Sequence, residues 1–233
     1  MTISRFWTLM LSAISIALVV SVPQSRAALP PDGGDSGQSA IYGAHAVFSS
    51  NIWQFRQWAD AMDRAQRELA QTRICADAAD TGCTPRQWRT LIDELAGLPL
   101  RAKLERVNAV MNQQPYVTTQ RNWGVPVYWE TPFEFLAKGG QCQDYAISKY
   151  LALRAAGVPD ENLRMLVVHD KDRNFDHAVL MVTVDGESYL LDSLSRDILP
   201  AGQVTHYRPY YAINQSGWWF YSGGNAMFAA NGH

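Results

Sequence analysis

The hydrophobic period of this chain changes once, and that change limits the folds open to it. Up to Ala156 the apolar residues recur at helical spacing. Ile52, Phe55, Trp58, Ala59, Met62, Ala65 and Leu69 do so over 52–71, and Trp88, Leu91, Ile92 and Leu95 follow Thr84-Pro85. Leu104, Val107, Val110 and Met111 repeat the pattern in "RAKLERVNAVMNQ". Thr84 reads as an N-cap with Pro85 in the first helical position, and Gly97 with Pro99 as a stop. The aromatic-rich loop "WGVPVYW" leads to a short helix starting at Thr131-Pro132. Cys142–Ala156 reads as a helix with Ile147, Tyr150, Leu151 and Ala155 facing inward, ended by "GVP". From Leu163 the runs turn β-rich: "LRMLVVHD", "HAVLMVTV" and "SYLLDSL", the last two joined by Asp185-Gly186, a two-residue hairpin signal. "YRPYYAINQSGWWFY" adds extended chain. Helices first and an antiparallel sheet after predict an α+β fold, a helical N-terminal half packed on that sheet.

The ends of the 233-residue chain place it in a compartment. Arg5, the apolar run Phe6–Val22 and the small residues of "SRA" form the three parts of a secretory signal cleaved near Ala27. No later run is long enough to cross a bilayer, so an exported, periplasmic protein without stable membrane insertion is expected. About 205 residues then remain, enough for one domain with a sizeable core. Residues 28–50 read as a flexible lead-in, 51–222 as the domain and 223–233 as a tail. The leader takes Arg5 and Arg26 with it and no acid, leaving a formal net charge of −4, and no basic stripe is present. Nucleic-acid binding is excluded on that ground.

Export makes the cysteine count informative, because thiols pair in an oxidising compartment. Cys75 and Cys83 flank the short polar loop "CADAADTGC" and are expected to pair, which leaves Cys142 over. An odd cysteine is either a small buried hydrophobe or a reactive group. Cys142 opens a helix, where unpaired N–H groups and the positive end of the dipole favour the thiolate. Gly139-Gly140 before it would let a substrate backbone approach. The hairpin selects the base. With Asp185-Gly186 as its turn, Val184 pairs with Glu187 and His177 falls opposite Leu194. Asp192 is then a diagonal neighbour on the same face as His177. An acid on one imidazole nitrogen fixes the tautomer and leaves the other nitrogen for the thiol proton. His169, among charges at a strand end, His206, and the near-terminal His45 and His233 show no such partnership. Nor do Cys142, His177 and Asp192 have the close-spaced pairs that anchor zinc.

Cys142, His177 and Asp192 sit in "GGQCQDYAISKYLALRAAGVPDENLRMLVV", "HAVLMVTVDGESYLLDSL" and their flanks "WGVPVYWETPFEFL" and "PYYAINQSGWW". In this the chain resembles the bacterial transglutaminase-like cysteine peptidases, among them the periplasmic LapG-type proteases, from about Trp53 to Trp219. The resemblance implies a papain/transglutaminase-type fold with Cys142 as nucleophile, His177 as general base and acid, and Asp192 as the orienting acid. It implies a protein substrate such as a surface adhesin, and an inner-membrane cyclic-di-GMP receptor as partner. LapG-type proteases also carry acids on both sides of the nucleophile, linked to a calcium requirement. Here Gln141 and Gln143 stand at those positions, Thr119 and Val127 stand where upstream acids are usual, and Asp144 remains. Calcium needs several hard anionic oxygens, and although glutamine amides also offer oxygens, no metal and no cofactor are expected. The expected activity is that of a thiol peptidase. Transglutaminase and cell-wall peptide amidase chemistry use the same three residues, and a catalytically idle scaffold is the remaining alternative.

Overall fold

A computed structural model of the chain describes residues 40–70 and 83–222. The expected signal peptide, most of the lead-in, Cys75 of the expected Cys75–Cys83 pair, and the tail lie outside the described residues. Among the described residues there are six α-helices: α1 (Arg56–Ala70), α2 (Thr84–Ala96), α3 (Leu100–Met111), α4 (Thr119–Trp123), α5 (Pro132–Lys138) and α6 (Cys142–Ala155). The strands are β1 (Ala40–Ile41), β2 (Ala44–Ser49), β3 (Leu163–Asp170), β4 (Phe175–Val184), β5 (Glu187–Leu191), β6 (Leu199–Pro200), β7 (Tyr207–Ile213) and β8 (Trp218–Ser222). They form one sheet in the order β1-β2-β8-β7-β3-β4-β5-β6, each neighbour antiparallel. The fold is α+β, as the change of period predicts.

The central strands read as nearly continuous apolar runs because both of their faces are covered. Met165, Leu180, Val182, Leu191 and Ile213 join the core under the helices. Their alternates Leu166, Val168, Val179, Met181, Leu190 and Ala212 belong to a second buried cluster. Helices α1, α2 and α3 bury Trp58, Met62, Trp88, Leu91, Leu95, Leu104, Val107 and Met111, the stripes expected from spacing. Helix α6 departs from that pattern. Every residue from Asp144 to Leu153 is buried while Ala155 is exposed, so it is the central helix of the domain and carries no single inward stripe. It packs across β3 and β4 on one side and α3 and α5 on the other.

The Asp185-Gly186 turn forms as read. Both residues have positive φ (+50° and +83°), and the ladder runs Val184–Glu187, Thr183–Ser188 and on to Leu180–Leu191. It stops there, so the expected pairing of His177 with Leu194 does not form. One further difference lies at the start. Ala40–Ser49, read from sequence as part of the flexible lead-in, forms β1 and β2, with Ala46 opposite Tyr221 and Phe48 opposite Trp219. The strand is short and its partner lies some 170 residues away, so local pattern does not reveal it.

Candidate active site

The first residue of α6 is Cys142, half-buried and the free cysteine among the described residues. Its place is set by the turn before it. Gly139 has φ +71°, and a Cβ there would stand 2.2 Å from the carbonyl oxygen of Pro115. That approach lets the Gly140 N–H donate to Pro115 (3.2 Å) and the Val117 N–H donate to Gly140 (3.0 Å). A Cβ on Gly140 would meet Asp144 Oδ2 at 2.7 Å and Glu130 Oε2 at 2.8 Å. The two glycines are therefore required by the protein's own chain and carboxylates, not only by an approaching substrate as the sequence reading assumed.

Asp144 ties this turn together from the third position of the helix. Its Oδ2 accepts from the Gln141 N–H (2.7 Å) and from Gln143 Nε2 (3.2 Å), and its Oδ1 accepts from the Glu130 N–H (2.9 Å). Glu130 Oε1 accepts from Trp123 Nε1 (2.6 Å) and Asn122 Nδ2 (2.9 Å). Its other oxygen, Oε2, is buried with no hydrogen-bond partner among the described residues. Burial, aided by the charge of Glu130 and opposed by the donated hydrogen bonds, pushes the Asp144 carboxyl up to about 7. Burial raises Glu130 as well. On the outer side, Gln141 Oε1 accepts from both the N–H (3.0 Å) and the hydroxyl (2.5 Å) of Thr119. A backbone N–H can only donate, so the amide orientation of Gln141 is settled and its Nε2 points to the Tyr116 hydroxyl (3.3 Å). Among the described residues, no group of three or more His, Cys, Asp or Glu side chains is placed to hold a metal ion.

The base and acid come from the hairpin. His177 Nε2 hydrogen bonds to Asp192 Oδ1 at 2.8 Å, which leaves Nδ1 for the thiol side. The diagonal relation read from the register thus becomes a direct contact. His177 and Asp192 are both buried, and the imidazole is flanked edge-on by Phe175 (5.8 Å) and at a tilt by Tyr207 (6.0 Å). Burial alone would lower the His177 pKa. The hydrogen bond to Asp192, the facing Cys142 and the charges of both outweigh it and bring His177 to about 9. Burial likewise opposes ionisation of Asp192, but the imidazolium, the Tyr207 hydroxyl and the Leu194 N–H hold it at about 2. The arrangement keeps a proton on the ring facing the sulfur, where a base and acid for a cysteine nucleophile must stand.

Sequence reasoning missed Tyr207. Its hydroxyl donates to Asp192 Oδ2 (2.5 Å), completing the carboxylate whose Oδ1 also accepts from the Leu194 N–H (2.8 Å). Tyr207 opens β7, which pairs with β3 and not with the hairpin, so the register of β4 and β5 carries no sign of it. His169 also has an acid partner that the sequence reading did not assign, Asp176 at 3.0 Å. Asp176 is two-thirds exposed at the outer end of the β3–β4 pair, so that pair is a surface contact.

Residues 62–220, well over half of the chain, match the family described as bacterial transglutaminase-like cysteine proteinases. The chain belongs to this family. Its cysteine peptidase character follows from that membership. Among solved structures it is similar to LapG of Legionella pneumophila, with 34% identity and a TM-score of 0.56 over 68% of this chain and 86% of the other. The calcium-bound form of that protein gives 32% identity and a TM-score of 0.54 over 68% and 86%. An EGTA-treated form gives 34% and 0.56 over 68% and 84%. No curated protein sequence matches the chain.

Proposed function

We propose that this transglutaminase-like cysteine peptidase is a periplasmic protease that cleaves a surface protein, of the adhesin type implied by its family, through Cys142, His177 and Asp192. The observation that carries the reading is the buried Asp192–His177 contact of 2.8 Å facing a free cysteine at a helix start. In the reaction, the Cys142 thiolate adds to the scissile carbonyl, and the oxyanion is held partly by the Cys142 backbone N–H. The C–N bond then breaks as His177 gives its proton to the leaving amine, which leaves a thioester on the sulfur. Water, deprotonated by His177, hydrolyses that acyl-enzyme, and expulsion of the sulfur restores the thiolate beside the protonated ring. Asp192 holds the ring in one tautomer throughout and stabilises its charged form. An inner-membrane cyclic-di-GMP receptor belongs to this reading as the regulatory partner, and the Cys75–Cys83 pair as the oxidised cysteines.

The reading includes independence from calcium. Legionella LapG has been solved with calcium bound. In this chain Gln141 replaces an acid before the nucleophile, and its side-chain oxygen already accepts two hydrogen bonds from Thr119. The amide and hydroxyl join the start of α4 to the start of α6 directly, where charged oxygens would need an ion between them. The oxygens joined there are neutral, which supports this reading, and no step is assigned to calcium.

The test compares new protein N-termini at the cell surface and in the medium for cells with wild-type protein, Cys142→Ala or none. Termini that require Cys142 identify a protease and its substrate. If none appear and isopeptide cross-links depend on Cys142 instead, the acyl group passes to an amine and the peptidase reading falls.

A further inference from the structure

Lys149 lies two turns after Cys142 on the same helix and has no exposed surface. Its Nζ donates to Asn108 Oδ1 at 2.8 Å and reaches the Leu191 carbonyl at 3.5 Å. Asn108, on α3 and itself buried, uses Nδ2 to donate to the carbonyls of Ser195 and Arg196, both at 3.2 Å. Asn112, one turn on, donates to the carbonyls of Asp192 (2.8 Å) and Ser195 (2.9 Å). Lys149 of α6, Asn108 of α3 and Asn112, which caps α3, thus hold four carbonyls of the turn 191–196, where the β4–β5 ladder has ended. Asp192 is carried on that turn.

An ammonium withdrawn from water is costly unless it holds something. A methionine at 149 would fill nearly the same volume without that cost, so simple packing does not account for a lysine. Burial holds the Lys149 ammonium down to about 7, with the charge of Asp192 opposing.

We propose that Lys149 is a positioning residue for the catalytic triad: through Asn108 and the Leu191 carbonyl it fixes the turn that delivers Asp192 to His177. Helix α6 then carries the nucleophile at its first residue and, about 10 Å along its axis, the anchor of the acid. One rigid rod sets both ends of the proton relay. The inference rests on the peptidase reading for the word catalytic, but its geometry does not need a substrate to be tested.

The experiment titrates the His177 ring by NMR, its resonance assigned by loss in His177→Gln, in wild type, Lys149→Met and Asn108→Asp, with Asp192→Asn as reference. In parallel, the rate of Cys142 alkylation by iodoacetamide at pH 6 is followed by mass spectrometry of its peptide. In Lys149→Met the His177 titration is expected to fall from about 9 by at least one unit toward 6.5, as in Asp192→Asn, and alkylation to slow about tenfold. Asn108→Asp keeps an acceptor for Lys149 but loses the amide donors to Ser195 and Arg196, and is expected to show the same fall. The sign discriminates. Lys149 is held down to about 7 and is largely neutral where His177 titrates, so its loss as a charge would leave the His177 pKa unchanged or slightly raised, whereas losing the position of Asp192 lowers it. A His177 titration that is unchanged or raised in both folded variants overturns the proposal. Should Lys149→Met fail to fold, Asn108→Asp and Asn112→Ala give the same reading. A wild type without Cys142-dependent cleavage, in which these variants still lower His177, defeats the peptidase reading and leaves the positioning role standing.

Discussion

At the scale of single residues, the site is a set of groups whose ionisation depends on one another. His177 is raised to about 9, above its ordinary value of 6.5. Its contribution to stability is therefore complete below 6.5 and is lost as pH rises through 9. Asp192 is depressed to about 2 from 3.8, so its contribution is complete above 3.8 and is lost as pH falls through 2. Between about 4 and 6.5 both are in force. The alkaline limb of kcat/KM is accordingly expected near pH 9. Asp192→Asn should move that limb toward 6.5 and lower kcat by roughly 10²–10⁴-fold. A pH–rate series on both proteins checks this, and an unmoved limb refutes the assignment. Asp144 has the opposite sign from Asp192. Its carboxyl is raised to about 7 from 3.8, so its protonated form is favoured by folding, and stability from this group declines as pH rises from about 4 to 7. Urea denaturation across that range should show a downward slope that Asp144→Asn removes. The His177–Asp192 partnership was legible because strand alternation and one turn dipeptide fix a diagonal. Tyr207 was not, because its strand joins the sheet three places away from β5.

At the scale of elements, the turn before α6 governs the nucleophile. Gly139→Ala forces a Cβ into the Pro115 carbonyl at 2.2 Å and a side chain into positive φ. A loss of about 2 kcal/mol or more is expected, measured by denaturation. Gly140→Ala should instead push on the Glu130 and Asp144 carboxylates, shifting the start of α6 and slowing Cys142 alkylation. Both glycines were visible in the sequence, but their reason was not. The atoms they avoid come from Pro115 and Glu130, distant in sequence, and from Asp144. Helix α5 was legible as well. Thr131 accepts from the Glu134 N–H (3.3 Å) and Glu134 accepts from the Thr131 N–H (2.8 Å), so the Thr-Pro-x-Glu start closes a capping box. The extra charge on Glu134 is used again. It pairs with Arg64 of α1 (2.5 Å), which also donates to the Trp129 carbonyl and lies over the Tyr128 ring, so the aromatic loop beside the site is held by a helix some sixty residues earlier.

At the scale of the whole molecule, the helices cover one face of a sheet whose β3 and β4 carry α6, and the site forms where the start of α6 meets the β4–β5 hairpin. If Thr119 and Gln141 take over the role of an ion at that junction, cleavage of the native substrate should be unchanged by EGTA. Thr119→Val should then reduce activity several-fold, with calcium giving no rescue. Loss of cleavage on chelation and its recovery with calcium would refute the metal-free reading.

The change of hydrophobic period, the Asp-Gly turn and the lone cysteine at a helix start determined the class of the fold, the register of the hairpin around its turn and the His177–Asp192 contact. These are local facts, set by periodicity, backbone conformation and alternation, and they survive without knowledge of the rest of the chain. Tertiary structure alone decided what surrounds them. It set the Tyr207 hydroxyl on Asp192, the buried Asp144 beside Glu130, and the Thr119–Gln141 join. It also added β2 to the sheet and placed Lys149 under the acid's turn. Each of those brings together groups from separate elements, and a polar group with no water around it takes its meaning from whichever partner the fold places within about 3 Å.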